Sequence, residues 1–352
     1  MKIFKFFSLF VQSFVIAKKE FLYADTLSIK NFMSWIEQYN ISVINKEHME
    51  QMYNNWFEND KFIEITNSKN LSYIVGHNIY SGLNANEFIN FGLNIDSLKK
   101  NKYLRGNVDV VKQENIYGLD NLSSVVDWRN KNSVTNVKNQ GSCGSCWSFS
   151  TTGALEGIYA ITYGILVSFS EQQLVDCDNG VKKNHGCNGG LMDLAFDWIN
   201  NNNGLCTEND YPYISGNTEK AETCKKSCNV VSKSKITKFT DIKPNSDEAM
   251  MTALMHQPVS VAINADQQSF QLYKSGVFTD VCGTDLNHGV LLVGYGNENG
   301  LDYYILKNSW GSSWGNSGFM YLGRGNDPLT GKSYNNGAGQ CGVLGMASYP
   351  SL

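Results

Sequence analysis

The N-terminal part of the chain has the apolar periodicity of helices. Between residues 29 and 65, apolar side chains recur at spacings of three and four, which is typical of helices that bury one face. The pattern is interrupted near Asn40–Asn45, so it predicts two helices. Gly76–Gly82 breaks it again before a short stretch that starts at Asn86-Glu-Phe88, and residues 95–122 are polar and predicted to be a linker.

From Ser124 onward the pattern changes from helical to strand-like along the chain. Helix patterns extend from Ser145 to Gly164, from Ser170 to Cys177 and from Gly190 to Asn200. After Ser227 the apolar runs are short, β-branched or aromatic and bounded by glycine, which predicts strands at Val259–Ile263, His288–Val293, Tyr303–Leu306 and Gly318–Leu322. A helical lobe followed by a β lobe predicts an α+β fold with a site in the cleft between the lobes.

The first residues have the pattern of a secretory signal peptide. A short basic lead, Met1–Lys5, precedes the apolar run Phe6–Ala17, which ends in the small residues Val15 and Ala17. A membrane span needs about 20 apolar residues, so this run is too short, and no later run is long enough. We therefore predict a signal peptide over residues 1–17, no membrane span, and a lysosomal, vacuolar or extracellular destination. An amphipathic or buried first helix is the alternative.

Composition and charge limit the kinds of partner that the protein can bind. The chain has 352 residues, of which 42% are hydrophobic, enough for sizeable cores in about two domains. The formal net charge of −4 argues against a nucleic-acid partner, and no polybasic run would hold an anionic membrane.

The cysteines raise a question of pairing. All 9 lie between Cys143 and Cys341. In an oxidising compartment eight of them can form four disulfides, so one is left over. That one is either an intermolecular partner or a free reactive thiol.

The segment Gln140–Ser150 carries candidate nucleophilic chemistry. Its residues 143–147 read Cys-Gly-Ser-Cys-Trp, the local pattern of a catalytic cysteine. Cys146 starts a predicted helix, where unpaired N–H groups and the helix dipole favour the thiolate, the nucleophilic form. The alternative, a redox pair or half a zinc site formed by Cys143 and Cys146, lacks a small βαβ unit or a second ligand pair at close spacing. We predict a nucleophile, and neither a metal nor a cofactor.

A nucleophilic cysteine needs a base and a means of stabilising charge. His288 opens a strong predicted strand and can hold the thiol proton. Asn308, in the run Lys307–Gly315, can orient that imidazole, and Trp310 can shield the bond from water. The side-chain amide of Gln140 and the backbone N–H of Cys146 can stabilise an oxyanion.

Taken together, these motifs resemble the papain-like cysteine proteases, and among them the cathepsin L-like branch. Further matches are Asp127-Trp-Arg129, Val137–Gln140, Gly186–Gly190, Tyr211-Pro-Tyr213 and Ala347–Pro350. The resemblance implies a papain-like fold over residues 122–352, with a helical left lobe, a β-barrel-like right lobe and the active-site cleft between them. In the family's terms the matched positions are Cys146 as nucleophile, His288 as base, Asn308 as orienting residue and Gln140 at the oxyanion hole.

The implied activity is that of a cysteine endopeptidase, which cleaves peptide bonds through a thiolate–imidazolium pair and an acyl-enzyme thioester. The alternative is a catalytically silent relative that only binds, and the intact Cys146, His288, Asn308 and Gln140 argue against it. The expected partners are peptide and protein substrates and the chain's own N-terminal part. The protein is expected to be a monomer.

The resemblance also implies a set of substrate-binding residues. Those lining the pocket for the second residue before the scissile bond are apolar or small, so a bulky hydrophobic side chain is expected there: Leu191, Met192, Ala262, Leu286, Gly289 and Met346. The other members of the set are Gly144, Trp310, Trp314, and Gly189 and Gly190, whose open backbone can pair with an extended substrate.

The disulfides are implied in the same way. The family pattern gives Cys143–Cys187, Cys177–Cys224 and Cys282–Cys341, and we expect a fourth bridge between Cys206 and Cys228. An alternative joins Cys177 to Cys228 and Cys206 to Cys224. In either case Cys146 is the cysteine without a partner.

The N-terminal part then resembles an inhibitory propeptide, residues 18–121. Six residues follow the family spacing E-x3-R-x3-F-x2-N-x3-I-x3-N, but only the final Asn-Ile-Asn is kept: His48, Met52, Trp56, Asn59, Ile63 and Asn67. Gly76–Gly82 resembles G-x-N-x-F-x-D with Tyr80 for Phe and Gly82 for Asp. The segment is expected to run through the cleft against the cutting direction until it is removed, so that the mature chain begins near Leu122–Val126. Asn40, Asn70 and Asn121 are glycosylation acceptors by sequence.

Overall fold

The structure, a computed structural model, describes residues 26–92, 122–179, 184–225 and 227–352. The predicted signal peptide and the predicted linker up to residue 121 lie outside the described residues, as does the part of the propeptide expected to run through the cleft.

Two helices form the N-terminal part, as the interrupted periodicity predicted. Helix α1 is Thr26–Gln38 and helix α2 is Lys46–Asn67. Asn45 caps α2, because its side-chain oxygen accepts a hydrogen bond from the backbone N–H of His48 at 2.8 Å. The helices bury a small aromatic core of their own, in which Phe32 of α1 packs against Tyr53 and Trp56 of α2. A short strand β1, Tyr73–Val75, and helix α3, Ala85–Gly92, follow.

The helical lobe is built around one buried helix. That helix, α4, spans Cys146–Tyr163 and ends at Gly164, whose positive φ of 70° closes the C-terminus. Helix α5, Glu171–Cys177, is capped by Ser170, and α6, Met192–Asn201, packs with α4 in the same apolar core. A 3-10 turn at Trp128–Lys131 and the short helix α7, Ser215–Thr218, complete this lobe.

The strands that follow belong, with β1, to a single sheet. Its strands are β2 Val126–Asp127, β3 Lys238–Asp241, β4 Val259–Ile263, β5 Tyr273–Phe278, β6 His288–Glu298, β7 Leu301–Lys307, β8 Phe319–Gly323 and β9 Ala347–Ser351. The strand order is β1-β5-β8-β7-β6-β4-β9-β3, an open path, with β2 paired to β6. The short 3-10 turns Tyr334–Gly337 and Gln340–Gly342 precede β9. The predicted α+β fold is confirmed.

The region after Ser227 also contains two helices, which were not predicted from the sequence. Helix α8, Asp247–His256, lies in that region, and a four-residue helix α9, Gln268–Gln271, follows β4. Ser246 caps α8 by accepting the backbone N–H of Ala249 at 3.2 Å, and two acidic residues occupy its first turn. That capping pattern was readable in the sequence, but the neighbouring β-branched runs obscured it.

Four disulfides tie loops to these elements. They join Cys143 to Cys187, Cys177 to Cys224, Cys206 to Cys228 and Cys282 to Cys341. Cys146 is the free thiol, and it is buried.

The N-terminal part docks on the β lobe as an extra edge strand. Strand β1 pairs antiparallel with β5, with Tyr73 opposite Gly276. The turns of residues 76–84 that follow are held by Gln271. Its backbone oxygen accepts from the side-chain amide of Asn78 at 2.7 Å, and its own amide donates to the oxygen of Tyr80 at 2.9 Å. Backbone pairing thus fixes the register of this part against the sheet.

Met52 and Gly82 are two positions at which the residue differs from the family motifs, and both lie in one packed contact. A Cβ added at Gly82 would lie 2.9 Å from Trp35 Cη2 and 3.5 Å from Met52 Cγ. Trp35 is held there because its indole N–H donates to the oxygen of Asn78 at 2.8 Å. Glycine at position 82 therefore leaves room for the side chains of Trp35 and Met52.

We expect Gly82→Asp to destabilise the N-terminal part by about 1–3 kcal/mol, because it overpacks the contact with Trp35 and buries a carboxylate among apolar groups. The measurement is the unfolding temperature of this part by calorimetry, in a full-length chain carrying Cys146→Ala to prevent cleavage. Ala85→Asp adds the same group at the exposed first residue of α3, close in sequence to Gly82, and is the control. Equal unfolding temperatures for the two variants would contradict the packing argument.

Candidate active site

Cys146 is the first residue of helix α4 and is fully buried. The backbone N–H of Gly289, which follows His288 in strand β6, donates a hydrogen bond to its Sγ at 3.3 Å. The start of β6 therefore lies directly against the thiol, and this contact brings two positions together that are far apart in sequence.

His288 is held by two neighbours. Its Nε2 lies 2.8 Å from Asn308 Oδ1, and its ring stacks on Trp310 with 4.7 Å between the ring centres. Among the described residues its Nδ1 has no hydrogen-bond partner. Asn308 Oδ1 is itself fixed, because it also accepts the backbone N–H of Ser309 at 2.8 Å.

Burial sets the charge state of this pair. It raises the pKa of the Cys146 thiol from 9.0 to about 11, against the opposing effect of backbone N–H donors from Gly289, Trp147 and Cys146 itself. Burial also lowers the pKa of His288 to about 4, which the bond to Asn308 opposes. Both groups are therefore neutral at pH 7 in this arrangement.

Gln140 is buried beside the start of α4. Its amide donates to the oxygen of Cys143 at 3.0 Å, while its Oε1 accepts from the Ser309 hydroxyl at 2.7 Å. The Tyr213 hydroxyl donates to the backbone oxygen of Gln140 at 2.8 Å and lies 2.7 Å from Ser145 Oγ. Sequence reasoning missed Ser309 and Tyr213 as supports, although each lies inside a motif that it had singled out.

The glycines predicted to bind substrate backbone lie next to a residue that the sequence reasoning did not identify. A Cβ at Gly190 would lie 2.4 Å from Asn184 Oδ1, so only glycine fits there. Asn184 accepts the backbone N–H of Leu191 at 2.6 Å and donates to Asp178 Oδ2 at 2.6 Å. It thereby holds the Gly190–Leu191 backbone. Gly144 lies alongside in an isolated bridge with Asn188.

Four of the six predicted pocket residues come together in the apolar core around α4. Met192 and Ala262 are buried in it, and Leu286 and Met346 pack against it partly exposed. The backbone N–H of Ala262 donates to the oxygen of Met346 at 3.0 Å, which links two sides of the pocket. Gly289 leaves room at the pocket wall, since a Cβ there would lie 3.3 Å from Met192 Sδ.

Of Trp310 and Trp314, also predicted to bind substrate, Trp310 lies against the N-terminal part of the chain. Tyr80 and Phe88 make edge-to-face contacts with Trp310, with ring centres 5.5 and 5.2 Å apart. The indole N–H of Trp314 donates to the oxygen of Gln271 at 3.1 Å. The N-terminal part thus packs on Trp310, the ring next to His288.

Among residues 26–92, 122–179, 184–225 and 227–352, His, Cys, Asp and Glu side chains form no group of three or more that could hold a metal ion. Within the same ranges no helix has both the length and the apolarity needed to cross a bilayer.

Comparison with known proteins gives consistent matches. The model of the papain family of cysteine proteases matches residues 122–351. The probable cysteine protease RD21B of Arabidopsis thaliana is 42% identical over 326 residues, which is 91% of this chain and 65% of that relative. The KDEL-tailed cysteine endopeptidase CEP2 of the same plant is 44% identical over 304 residues, which is 86% of this chain and 80% of that one. The chain thus spans 65% of the length of RD21B. It spans 61% of the length of another Arabidopsis thaliana relative, the probable cysteine protease RD21C.

Solved precursor structures are similar over almost the whole chain. The proform of the ragweed pollen allergen Amb a 11, a cysteine protease, is 37% identical, covers 94% of this chain and 98% of its own, and has a TM-score of 0.80. Digestive procathepsin L 3 of Tenebrio molitor larval midgut is 34% identical, with 93% and 100% covered and a TM-score of 0.77. The chain belongs to the papain family of cysteine proteases.

Proposed function

We propose that the protein is a cysteine endopeptidase made as an inactive precursor, with residues 18–121 as the inhibitory propeptide and residues 122–352 as the peptidase domain. The observation that carries this proposal is the contact of the Cys146 thiol, at the start of α4, with the backbone N–H that directly follows His288. Similarity to the two precursor structures supports the division of the chain. A mature N-terminus near Leu122–Val126 agrees with the start of the family match at residue 122.

The proposed reaction begins with a proton transfer. When substrate and water reach the site, Cys146 passes its proton to His288, and Asn308 Oδ1 stabilises the resulting imidazolium. The thiolate attacks the carbonyl carbon of the scissile bond. The backbone N–H of Cys146 and the amide of Gln140 stabilise the oxyanion that forms.

Collapse of this intermediate breaks the peptide bond. His288 gives its proton to the departing amine, leaving the acyl group on Cys146 as a thioester. A water molecule, deprotonated by His288, then attacks the thioester and forms a second oxyanion intermediate. Its collapse releases the acid and expels the Cys146 thiolate, which takes the proton back from His288. Since Gln140, Cys146, His288 and Asn308 are all present and brought to one place, an active enzyme is favoured over a silent binding protein.

The substrate preference follows from the pocket. Met192, Ala262 and Met346 give it apolar walls, so a bulky hydrophobic residue is expected two positions before the cut. Gly189 and Gly190, together with the Asn184-held backbone of Leu191, would pair with an extended substrate.

The destination is proposed from the chemistry of the chain. Four disulfides indicate an oxidising compartment, and residues 1–17 have the pattern of a signal peptide. We therefore place the protein in the secretory pathway, ending in a lysosome or vacuole or outside the cell.

One titratable group in the inhibitory part is poised to respond to acid. The ring of His77 stacks on Trp56 with 4.5 Å between ring centres, and its Nε2 lies 2.9 Å from Asp60 Oδ1. Burial lowers the pKa of His77 below its ordinary 6.5, which Asp60 opposes. The folded form of the N-terminal part therefore prefers the neutral ring of His77. The stability of the N-terminal part is unaffected by His77 well above pH 6.5, and it falls as the pH drops from 6.5 through the lowered pKa of this residue.

The first prediction concerns the thiol. Raising its pKa from 9.0 to about 11 reduces the thiolate fraction at pH 7 about a hundredfold. We expect iodoacetamide to alkylate Cys146 at least that much more slowly in the full-length precursor than in the mature enzyme, as followed by intact mass. Cys146→Ala should take up no label, because the other eight cysteines are paired. Equal rates in precursor and mature enzyme would show that the propeptide does not control the thiol.

The second prediction concerns the pocket. The mature enzyme should cleave a Phe-Arg reporter peptide much faster than an Arg-Arg one. Met346→Glu should raise kcat/KM for the Arg-Arg peptide about tenfold, equivalent to about 1.4 kcal/mol from a new ion pair, whereas Met346→Gln, of the same size without the charge, should not. Equal rates on the two reporters in the unaltered enzyme would refute the assignment of this pocket.

The third prediction concerns His77. His77→Phe keeps the stacking on Trp56 but cannot become charged, so acid should loosen the inhibitory part less. In chains carrying Cys146→Ala, added mature enzyme should cut the propeptide of the variant several-fold more slowly below pH 6 and at a similar rate at pH 7. His48→Gln replaces another histidine of the same part and is the control. Identical pH profiles for parent and His77→Phe would exclude His77 as the sensor.

A further inference from the structure

Residues 213–216, which we call the support segment, lie directly behind the loop of residues 140–145 that leads to Cys146. Gly141 of this loop has a φ of 56° and approaches the segment so closely that an added Cβ would lie 2.5 Å from the oxygen of Gly216. The same oxygen accepts the backbone N–H of Ser142 at 3.0 Å. The loop is therefore packed against the support segment by backbone contacts that only glycine permits at position 141.

The support segment is itself anchored from the other side. Oε1 of Gln172, in helix α5, accepts the two successive backbone N–H groups of residues 214–215 at 2.8 and 2.9 Å. Glu208 Oε1 accepts the backbone N–H of Tyr213 at 2.8 Å. The ring of Tyr213 packs edge-to-face on Phe149 of α4, with 4.9 Å between ring centres. Both the backbone and the ring of Tyr213 are therefore fixed, so its hydroxyl is a rigid point of attachment.

That hydroxyl joins the two ends of the loop. It donates to the backbone oxygen of Gln140 at 2.8 Å, and it lies 2.7 Å from Ser145 Oγ. A tyrosine hydroxyl has one proton, so Ser145 is the donor in the second contact. The Ser145 proton is shared with the oxygen of Cys143, 3.4 Å away. A single oxygen atom of Tyr213 thus bonds both the first and the last residue of the loop.

These two residues carry or adjoin the proposed oxyanion donors. One donor is the side-chain amide of Gln140, and the other is the backbone N–H of Cys146, which follows Ser145. Donors stabilise an oxyanion best when they already lie about 3 Å from the position that the charged oxygen will occupy. The rate therefore depends on the separation of the two donors, and the Tyr213 hydroxyl bridges the residues that determine it.

The Tyr213 hydroxyl keeps its proton throughout the pH range in which a peptidase would work. Burial raises the pKa of Tyr213 above its ordinary 10.0, the bond from Ser145 opposes the shift, and the charge of Glu171 adds to it. The bond to Gln140 therefore does not depend on pH near neutrality. Loss of the hydroxyl should lower the rate by the same factor at acid and neutral pH.

We infer that Tyr213 is a positioning residue for the oxyanion hole, and that its hydroxyl sets the separation between the Gln140 amide and the Cys146 N–H. The inference rests on the proposed peptidase function. An oxyanion exists in the transition state and is absent from both the free enzyme and the bound substrate. Removal of the hydroxyl should therefore lower kcat and leave KM nearly unchanged.

The experiment compares mature enzyme carrying Tyr213→Phe with the unaltered mature enzyme. On a Phe-Arg reporter peptide, kcat should fall about tenfold from pH 5 to pH 8 while KM stays within about twofold. This is a part of the roughly 10²–10³-fold loss that follows removal of an oxyanion donor itself. Unfolding temperatures of both proteins are measured beside the kinetics.

Two thiol reagents separate the hole from the nucleophile. A peptide aldehyde forms an adduct in which the Cys146 sulfur bonds to the aldehyde carbon, the carbonyl π pair moves to oxygen, and the thiol proton passes to that oxygen. Because this oxygen lies where the oxyanion would, the affinity for the aldehyde should fall about tenfold in Tyr213→Phe. Iodoacetamide alkylates Cys146 without forming an oxyanion, so its rate should be equal in the two enzymes.

A matched control and a second variant complete the design. Tyr211→Phe removes the other tyrosine hydroxyl of the same motif, which donates to Asp176 Oδ2 at 2.8 Å, and it should leave kcat and aldehyde affinity unchanged. Ser145→Ala removes the other end of the bridge and should lower both several-fold. Combined with Tyr213→Phe, it should cost little more than Tyr213→Phe alone, since the two groups act through one bridge.

An unchanged kcat in Tyr213→Phe, or an equal loss in the rate of iodoacetamide alkylation, would overturn the inference and leave the proposed function standing. Should Tyr213→Phe fail to fold, Ser145→Ala decides alone, and an unchanged aldehyde affinity in that variant overturns the inference. If the unaltered mature enzyme neither cleaves the reporter nor binds the aldehyde, the proposed function fails and the inference with it.

Discussion

Desolvation of Cys146 and His288 is the constraint on which the rest of the site depends. Both side chains are fully buried, and burial moves the pKa of each toward its neutral form: up for the thiol and down for the imidazole. The helix start at Cys146, the Gly289 N–H and the Asn308 oxygen all favour the charged forms. Whether the ion pair forms is therefore decided by what covers the cleft.

The N-terminal part reaches the edge of this site through backbone pairing and aromatic contact. Strand β1 adds to the edge of the sheet at β5, and Tyr80 and Phe88 then pack on Trp310, the ring that stacks on His288. In this chain Gly82 packs against the apolar side chains of Trp35 and Met52, whereas the family motif has a charged residue at that position. The docked N-terminal part therefore meets the proposed catalytic pair through Trp310.

Much of this arrangement was predictable because local signals were strong. The pattern around Cys146, the start of β6 at His288 and the glycine that ends α4 each follow from a few adjacent residues. Asn184 and Tyr213 were not predictable as supports, because each acts by hydrogen bonds to backbone brought near only by folding. Strand β5 and its pairing with β1 were missed for the same reason, since edge pairing between distant segments leaves no local pattern.

The central claim is that a single buried thiol, Cys146, is released as the nucleophile when the inhibitory part is removed. The most direct measurement is the intact mass of the acid-activated protein with and without an irreversible peptidyl epoxide, beside Cys146→Ala. The account predicts one adduct on a species that begins near Leu122–Val126, and none on the variant. Clean loss of the propeptide with no adduct on the unaltered chain would contradict it.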